Sequence, residues 1–283
     1  MKKFLAIALA AVLLFALAAC GGNGGEKADV VKVIDINLTE EEYAFGVDKA
    51  QPELLEATNK FIANIMEDGT FDAICNNYFG DGEPVAVKSA VEDPTKDQLI
   101  VATNAAFAPF EYMEGDSYYG IDMEIAALLA EELGKELVVQ NMKFESVCLS
   151  VGQHKCDIAM AGLTVKEERM EHVNFSDSYY VASQKIIVPA DDTTFDACTD
   201  AAAVEEILNG FDNTTKIGYQ NGTTAQFYVL GDAEWEFDGF KVEGKGYDNG
   251  ALAVQDLING NINYVIIDAA PADMISANFN ALS

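Results

Sequence analysis

The sequence predicts an α/β protein built as two sheet-and-helix units in series, and three observations carry that prediction. Short apolar runs alternate with helical patterns from Leu99 to Phe279, the order that builds largely parallel sheets. The alternation breaks near residues 180–185 and restarts at "KIIVPA". Residues 39–80 read as one strand and two helices, too little to bury a core alone, so they must complete a unit made by later residues.

Each element has its own cause. "VVKVIDINL" (30–38) reads as a strand. Thr39 and Glu42 have the T-x-x-E spacing of a capping box, expected to shape a short turn here. "YAFGV" (43–47) is strand-like. Pro52 opens a helix where its missing N–H is harmless; Leu54, Leu55, Thr58, Phe61, Ile62 and Ile65 recur at helical spacing, and Gly69 ends it. "FDAICNNYFG" is a second, short helix. Residues 81–98, with two prolines and little periodicity, read as a linker spanning up to about 60 Å when extended. "LIVAT" then starts a buried strand. Asp122 begins a helix with Ile125, Leu128, Leu129 and Leu133 on one face, closed by Gly134. "ELVVQNM" (strand), "SVCLSVGQ" (helix) and "CDIAMAG" (strand) finish the first unit. The second runs "KIIVPA", helix "VEEILNG", strand "KIGYQNG", helix "TTAQFYVL", strand "FKVEGKG", helix "NGALAVQDLINGN", strand "YVIID" and helix "PADMISANF".

Composition narrows the function. The 283 residues carry 47 acids against 17 bases, a formal charge of -30. That surface repels nucleic acid and anionic headgroups. Four cysteines, Cys75, Cys148, Cys156 and Cys198, lack zinc-ligand spacing; Cys148 and Cys156 are the nearest pair, and the sequence leaves their pairing open. His154 and His172 stand in no nucleophile elbow or HExxH. No GxGxxG or GxxxxGKS occurs. No metal and no cofactor is expected.

The N-terminus reads as a leader. Met1-Lys2-Lys3 precedes the apolar run Phe4 to Ala19, shorter than the ~20 residues of a membrane span and suited to a signal peptide. "LAAC" and "GGNGGEK" follow, similar to a bacterial lipoprotein signal. The expectation is a signal peptide over 1–19, a lipid on Cys20, a leash over 20–29, and a mature chain outside the cytoplasmic membrane.

In open α/β sheets, ligands bind beyond the carboxyl ends of strands. Those ends hold Asn104, Gly162 to Thr164, Gln220 to Thr224, and Asp268. Arg169 adds a permanent cation, and Phe107 and Phe144 add aromatic walls.

Two blocks carry a family resemblance: "LIVATNAAFAPFEYMEGDSYYGIDMEIAALLAEELG" and "CDIAMAGLTVKEERMEHVNFSDSYY". They resemble the bacterial extracellular solute-binding proteins of family 3, the polar amino-acid receptors of ABC importers, and most of all the glutamine receptors. The resemblance runs from Leu99 to Phe279. "TEEEYAFGVDKAQPELLEATNKFIANIMEDGTFDAICNNYFG" (39–80) resembles the C-terminal end of the same family, so the order looks circularly permuted. The implied fold is a two-lobed periplasmic-binding-protein type II (Venus-flytrap) α/β architecture, each lobe a mixed sheet flanked by helices. Lobe I would be 39–180 (39–80 the family's C-terminal segment, 81–98 linker, 99–180 its N-terminal segment), and lobe II would be 30–38 plus 181–283. A flexible linker of this length reaches about 25 Å, which favours an intramolecular permutant over a domain-swapped dimer.

The resemblance implies a free amino acid held between hinged lobes. Arg169 would hold its carboxylate, aided by N–H groups of Thr164 and of Thr223 or Thr224. Asp268 would take the ammonium with the Gly162 carbonyl and the Thr164 hydroxyl; Ala161 precedes that turn. Phe107 and Phe144 would sandwich the side chain, and Asn104 and Gln220 would meet its end. The glutamine receptors carry an acid, a lysine and a histidine where this chain has Asn104, Gln220 and Ile267. That implies a neutral polar ligand, since an unpaired buried charge is costly. The expected protein is a monomeric, lipid-anchored receptor that delivers its amino acid to a permease and is not an enzyme. The alternatives are a sensing module for a separate receptor and an enzyme resembling cyclohexadienyl dehydratases, with Glu111 and Glu114 as nearby acids.

Overall fold

The computed structural model describes residues 28–283. The leader, Cys20 and most of the leash lie outside the described residues. Along the chain the elements are β1 (Val31–Ile34), β2 (Glu41–Tyr43), β3 (Gly46–Asp48), α1 (Pro52–Glu67), α2 (Thr70–Phe79), β4 (Gln98–Thr103), β5 (Ala106–Phe107), β6 (Glu111–Glu114), β7 (Ser117–Tyr119), α3 (Ile121–Glu132), β8 (Glu136–Asn141), α4 (Val147–Gly152), β9 (Ile158–Ala159), α5 (Glu167–Met170), β10 (Val173–Phe175), β11 (Tyr180–Ala182), β12 (Gln184–Pro189), α6 (Ala201–Gly210), β13 (Lys216–Gln220), α7 (Thr224–Leu230), β14 (Glu243–Tyr247), α8 (Gly250–Ile258), β15 (Tyr264–Asp268) and α9 (Ala269–Leu282).

Two five-stranded sheets result, ordered β10-β3-β9-β4-β8 and β1-β12-β15-β13-β14; we call them lobe I and lobe II. β4 runs parallel to β8 and β9, and β13 parallel to β14 and β15. Antiparallel strands complete each sheet: β3 between β9 and β10, and β12 between β1 and β15. The sheets are therefore mixed. The early segment does find its partners: Val47 faces Ile158 in lobe I and Val33 faces Ile187 in lobe II. Between the lobes, β2 and β11 pair antiparallel, Tyr43 opposite Tyr180.

Local chemistry explains the helix ends. Pro52 stands in the first turn of α1, and Leu54, Thr58, Phe61, Ile62 and Ile65 face the core. Gly69, at φ +82, makes the left-handed step into α2. The Asp200 and Asn249 side chains accept from the N–H groups of Ala203 and Leu252, capping α6 and α8. On α3, Ile125 and Leu129 are fully buried, whereas Leu128 and Leu133 sit at the edge of the core.

Two expectations need correction. Thr39 and Glu42 form no capping box; the Thr39 hydroxyl donates to Glu41 Oε1 at 2.7 Å. Residues 81–98 are no free tether. Val87 exchanges backbone hydrogen bonds with Tyr118, Ser89 Oγ accepts from the Val139 N–H, and the Ala90 N–H reaches the Leu137 carbonyl. A three-stranded meander, β5-β6-β7, fills the stretch between β4 and α3, because its strands are too short to show a period. Cys75, Cys148, Cys156 and Cys198 are all free.

Candidate functional site

Phe107, Phe144, Gly162, Thr164 and Arg169 of lobe I face Gln220, Thr223, Thr224 and Asp268 of lobe II across one gap. They converge because they follow the carboxyl ends of parallel strands or sit on the short segments just beyond. The lobes touch across the gap. Gln220 Nε2 donates to Asn104 Oδ1 at 2.9 Å, Thr224 Oγ1 to Thr164 Oγ1 at 3.0 Å, and Arg169 Nη2 to the Gly222 carbonyl at 3.0 Å. The cavity left between them measures about 10 Å³, room for about one water molecule.

Arg169 is buried at 8 % exposure. Its Nη1 donates to the Thr164 carbonyl at 2.7 Å, and its guanidinium carbon lies 5.2 Å from the Phe144 ring centroid. Among the described residues no carboxylate lies within ion-pair distance of it. A buried cation held only by neutral groups attracts an anion.

Asp268 supplies the opposite sign from the other lobe, at 4 % exposure. Burial, and then the nearby Glu41 carboxylate, push its pKa up to about 7, against the pull of hydrogen bonds from Tyr43 and Gln184. The Tyr43 hydroxyl donates to Asp268 Oδ1, tying β2, which pairs with β11 between the lobes, to the end of β15.

Gly162 sits at φ +54, with the Phe107 ring 3.1 Å and the Tyr43 ring 3.3 Å from where a Cβ would stand. Its N–H donates to Asp122 Oδ2 at 2.9 Å, and Tyr179 donates to Asp122 Oδ1 at 2.6 Å. That bond fixes the turn that aims the Thr164 hydroxyl at Glu41 Oε2, 2.7 Å away. Thr223 Oγ1 turns back to the Gln220 carbonyl at 2.8 Å. Of the sequence candidates, Asn104 meets the gap through Gln220, whereas Ala161 lies in the core behind it.

The matrix of short motifs has a family counterpart. Residues 99–263 match the bacterial extracellular solute-binding proteins, family 3. The chain belongs to this family. It is 41% identical over 96 residues to the arginine-binding extracellular protein ArtP of Bacillus subtilis, covering 34% of this chain and 38% of that relative. It is 28% identical over 175 residues to the ABC transporter arginine-binding protein 1 of Escherichia coli K12, covering 62% and 64%. Its fold matches an ancestral arginine-binding protein bound to arginine, with TM-score 0.55, 29% identity, and coverage of 65% of this chain and 75% of that one. The chain spans less than two thirds of the length of the curated relatives it matches.

In this solute-binding protein the second tier of the site is mostly hidden in the sequence, Glu111 alone standing among the candidate acids. Glu41, Tyr43, Asp122 and Glu111 are buried beside the gap. Glu111 is fully buried, and neither carboxylate oxygen finds a hydrogen-bond partner; burial holds its pKa well above the ordinary glutamate value. For Glu41, Tyr43 and Glu111 the available signal is a polar residue inside a short strand, but strands this short give no period to mark it as inward; Asp122 lies instead in the first turn of α3. Glu114, the other acid considered, is exposed at the end of β6. No group of His, Cys, Asp and Glu among the described residues could hold a metal, and no described helix is long and apolar enough to cross a membrane.

Proposed function

We propose that this chain is an extracytoplasmic receptor that closes on a free amino acid and delivers it to an ABC permease. One observation carries the reading: a buried arginine without a carboxylate partner, Arg169, and a buried carboxylate, Asp268, line one gap from opposite lobes. A zwitterion satisfies both and ties the lobes together. Thr164, Gly162, Thr223 and Thr224 surround the two charged ends, and Phe107 and Phe144 wall the side chain. The names of the relatives, binders of arginine and histidine, support the ligand class.

Within that class a neutral polar amino acid, glutamine first, fits the side-chain end. Gln220 Oε1 is buried without a partner, and Asn104 Oδ1 is an acceptor. Such a pair takes N–H groups. Arginine also offers N–H groups and is the second reading, favoured by the relatives' names; the gap lining holds no carboxylate besides Asp268 to meet its charge. The same lining disfavours an acid-catalysed enzyme, since Asp268 is already assigned to the ammonium. In this reading residues 1–19 are the signal peptide, Cys20 carries the lipid, and the protein works as a monomer.

We also read the chain as a circular permutant. Residues 28–31 lie against the end of α9: Asn280 Oδ1 accepts from the Val30 and Val31 N–H groups, and Ser283 Oγ reaches the Ala28 carbonyl. Joining Ser283 to Ala28 through a short glycine bridge and opening the chain within 81–97 should preserve fold and binding; an unfolded product would count against it.

The decisive assay is a thermal-shift screen against the twenty amino acids, because a ligand of the folded state alone raises the melting temperature. A selective rise with a neutral polar amino acid is expected. No rise with any of them would sink the receptor reading.

A further inference from the structure

Loop 231–239 of lobe II folds into a hook of its own. The Asp232 N–H donates to the Phe237 carbonyl at 2.8 Å, and the Phe237 N–H returns to Asp232 at 3.1 Å. Gly231 and Gly239, both at positive φ, let the two stems approach so closely that a Cβ on Gly239 would stand 2.2 Å from the Leu230 carbonyl carbon. Asp232 Oδ1 accepts from the Glu234 and Trp235 N–H groups at 2.9 and 3.3 Å. The tip is therefore organised without help from lobe I.

Lys166 of lobe I meets that tip. Its ammonium lies 2.8 Å from Asp232 Oδ2 and 2.6 Å from Glu234 Oε2, with side-chain exposures of 4%, 9% and 29% for the three residues. It also lies 4.7 Å from the Phe227 ring centroid and 5.4 Å from that of Trp235. Burial pulls the Lys166 pKa down, but the two carboxylates overcome it and hold it above the ordinary lysine value. Among the described residues a second inter-lobe ion pair, Lys143–Asp248 at 2.9 Å, has both side chains more than half exposed, where such pairs contribute little.

We propose that Lys166 is a positioning residue for closure, a latch on the Asp232–Glu234 hook that sets ligand affinity and residence without touching the ligand. The proposal rests on the receptor reading for its effect on affinity, but the latch itself is a lobe–lobe contact and can be read without ligand. Closing the lobes buries the lysine between two carboxylates and two rings; opening strips it of all four. The latch thus raises the closed fraction, and apparent affinity scales with that fraction. Removing one partner of a buried charge pair acts mainly on the dissociation rate.

The test uses the full chain and two ways of breaking the latch: Lys166→Met from lobe I, and Asp232→Asn with Glu234→Gln from lobe II, which keeps Lys166 and the single tryptophan, Trp235. Small-angle scattering without amino acid should give a larger radius of gyration for both variants than for the wild type. The emission of Trp235 should shift in the double variant. With the amino acid selected by the thermal screen, affinity should fall by about tenfold or more, chiefly through faster dissociation, and Lys166→Arg should restore it. If either variant fails to fold, the other carries the test. Unchanged scattering and affinity in a folded variant would overturn the latch. So would a loss that Lys166→Arg leaves in place. If the wild type binds no amino acid, the receptor reading fails, while the scattering comparison still decides the latch.

Discussion

Asn104 and Gln220 join the two lobes through one buried amide–amide hydrogen bond of 2.9 Å. Asn104 Nδ2 donates to the Met142 carbonyl at 2.7 Å, which turns Asn104 Oδ1 toward lobe II as the acceptor for Gln220. That fixes which way Gln220 must point. Gln220→Leu removes the donor and the free acceptor together. It is expected to weaken binding of a neutral polar amino acid by about tenfold, the equivalent of about 1.4 kcal/mol. Gln220→Glu should move the preference toward arginine or lysine. Calorimetric titration of each variant with glutamine and arginine checks both, and an unchanged ligand ranking in the two variants would remove this pair from the specificity argument.

The zwitterion clamp has a direct test. Arg169→Ala and Asp268→Ala should each abolish amino-acid binding and leave the far-ultraviolet circular dichroism of the folded protein intact. Wild-type affinity in both would refute the site assignment.

The pH dependence follows from two buried acids. Burial raises the carboxyls of both Asp268 and Asp122 to about 7, from 3.8. The folded protein then holds protons that the unfolded chain releases, so unligated stability falls as pH rises from about 4 to about 7 and levels off above. Glu111, also raised by burial, contributes with the same sign. Ligand affinity runs the other way, because the ammonium needs an ionised Asp268. Melting curves at pH 5 and pH 8, with and without amino acid, should therefore show a larger ligand-induced shift at pH 8. A larger shift at pH 5 would exclude Asp268 as the ammonium site.

Glu111 supplies a stability prediction of unusual sign. Its two oxygens are buried and unpartnered, and such groups destabilise by about 1–3 kcal/mol. Glu111→Met should raise the urea midpoint without changing ligand affinity. A loss of binding would instead show that the acid serves the site.

Gly162→Ala should do the reverse. The left-handed backbone at φ +54 strains any side chain by about 1–2 kcal/mol, and the new methyl presses on the Phe107 ring at 3.1 Å. Both stability and affinity are expected to drop, the latter through a displaced side-chain wall.

The sequence made the long elements legible because their burial is periodic. Leu54, Thr58, Phe61 and Ile62 define α1 without reference to anything else, and Pro52 and Gly69 mark its ends. The strand-end residues Gln220 and Asp268 were readable because α/β sheets gather such positions on one side. What was hidden depends on partners distant in the chain. Tyr43 reaches Asp268 only because β2 pairs with β11 between the lobes. Asp122 reads locally as the start of a helix, yet its carboxylate holds Gly162, forty residues on. Residues 81–98 look flexible in composition, but partners distant in the chain, among them Tyr118, Glu124, Leu137 and Val139, make them lie flat.

The position of β3 within its sheet bears on how the protein is made. Gly46–Asp48 leaves the ribosome roughly a hundred residues before Ile158–Ala159, the strand it must pair with, and β10 comes later still. During vectorial synthesis the first-made strand therefore waits with both edges unpaired, the condition that invites aggregation. Lobe I therefore matures late although its first residues come early, and its sheet closes only once β9 and β10 have been made.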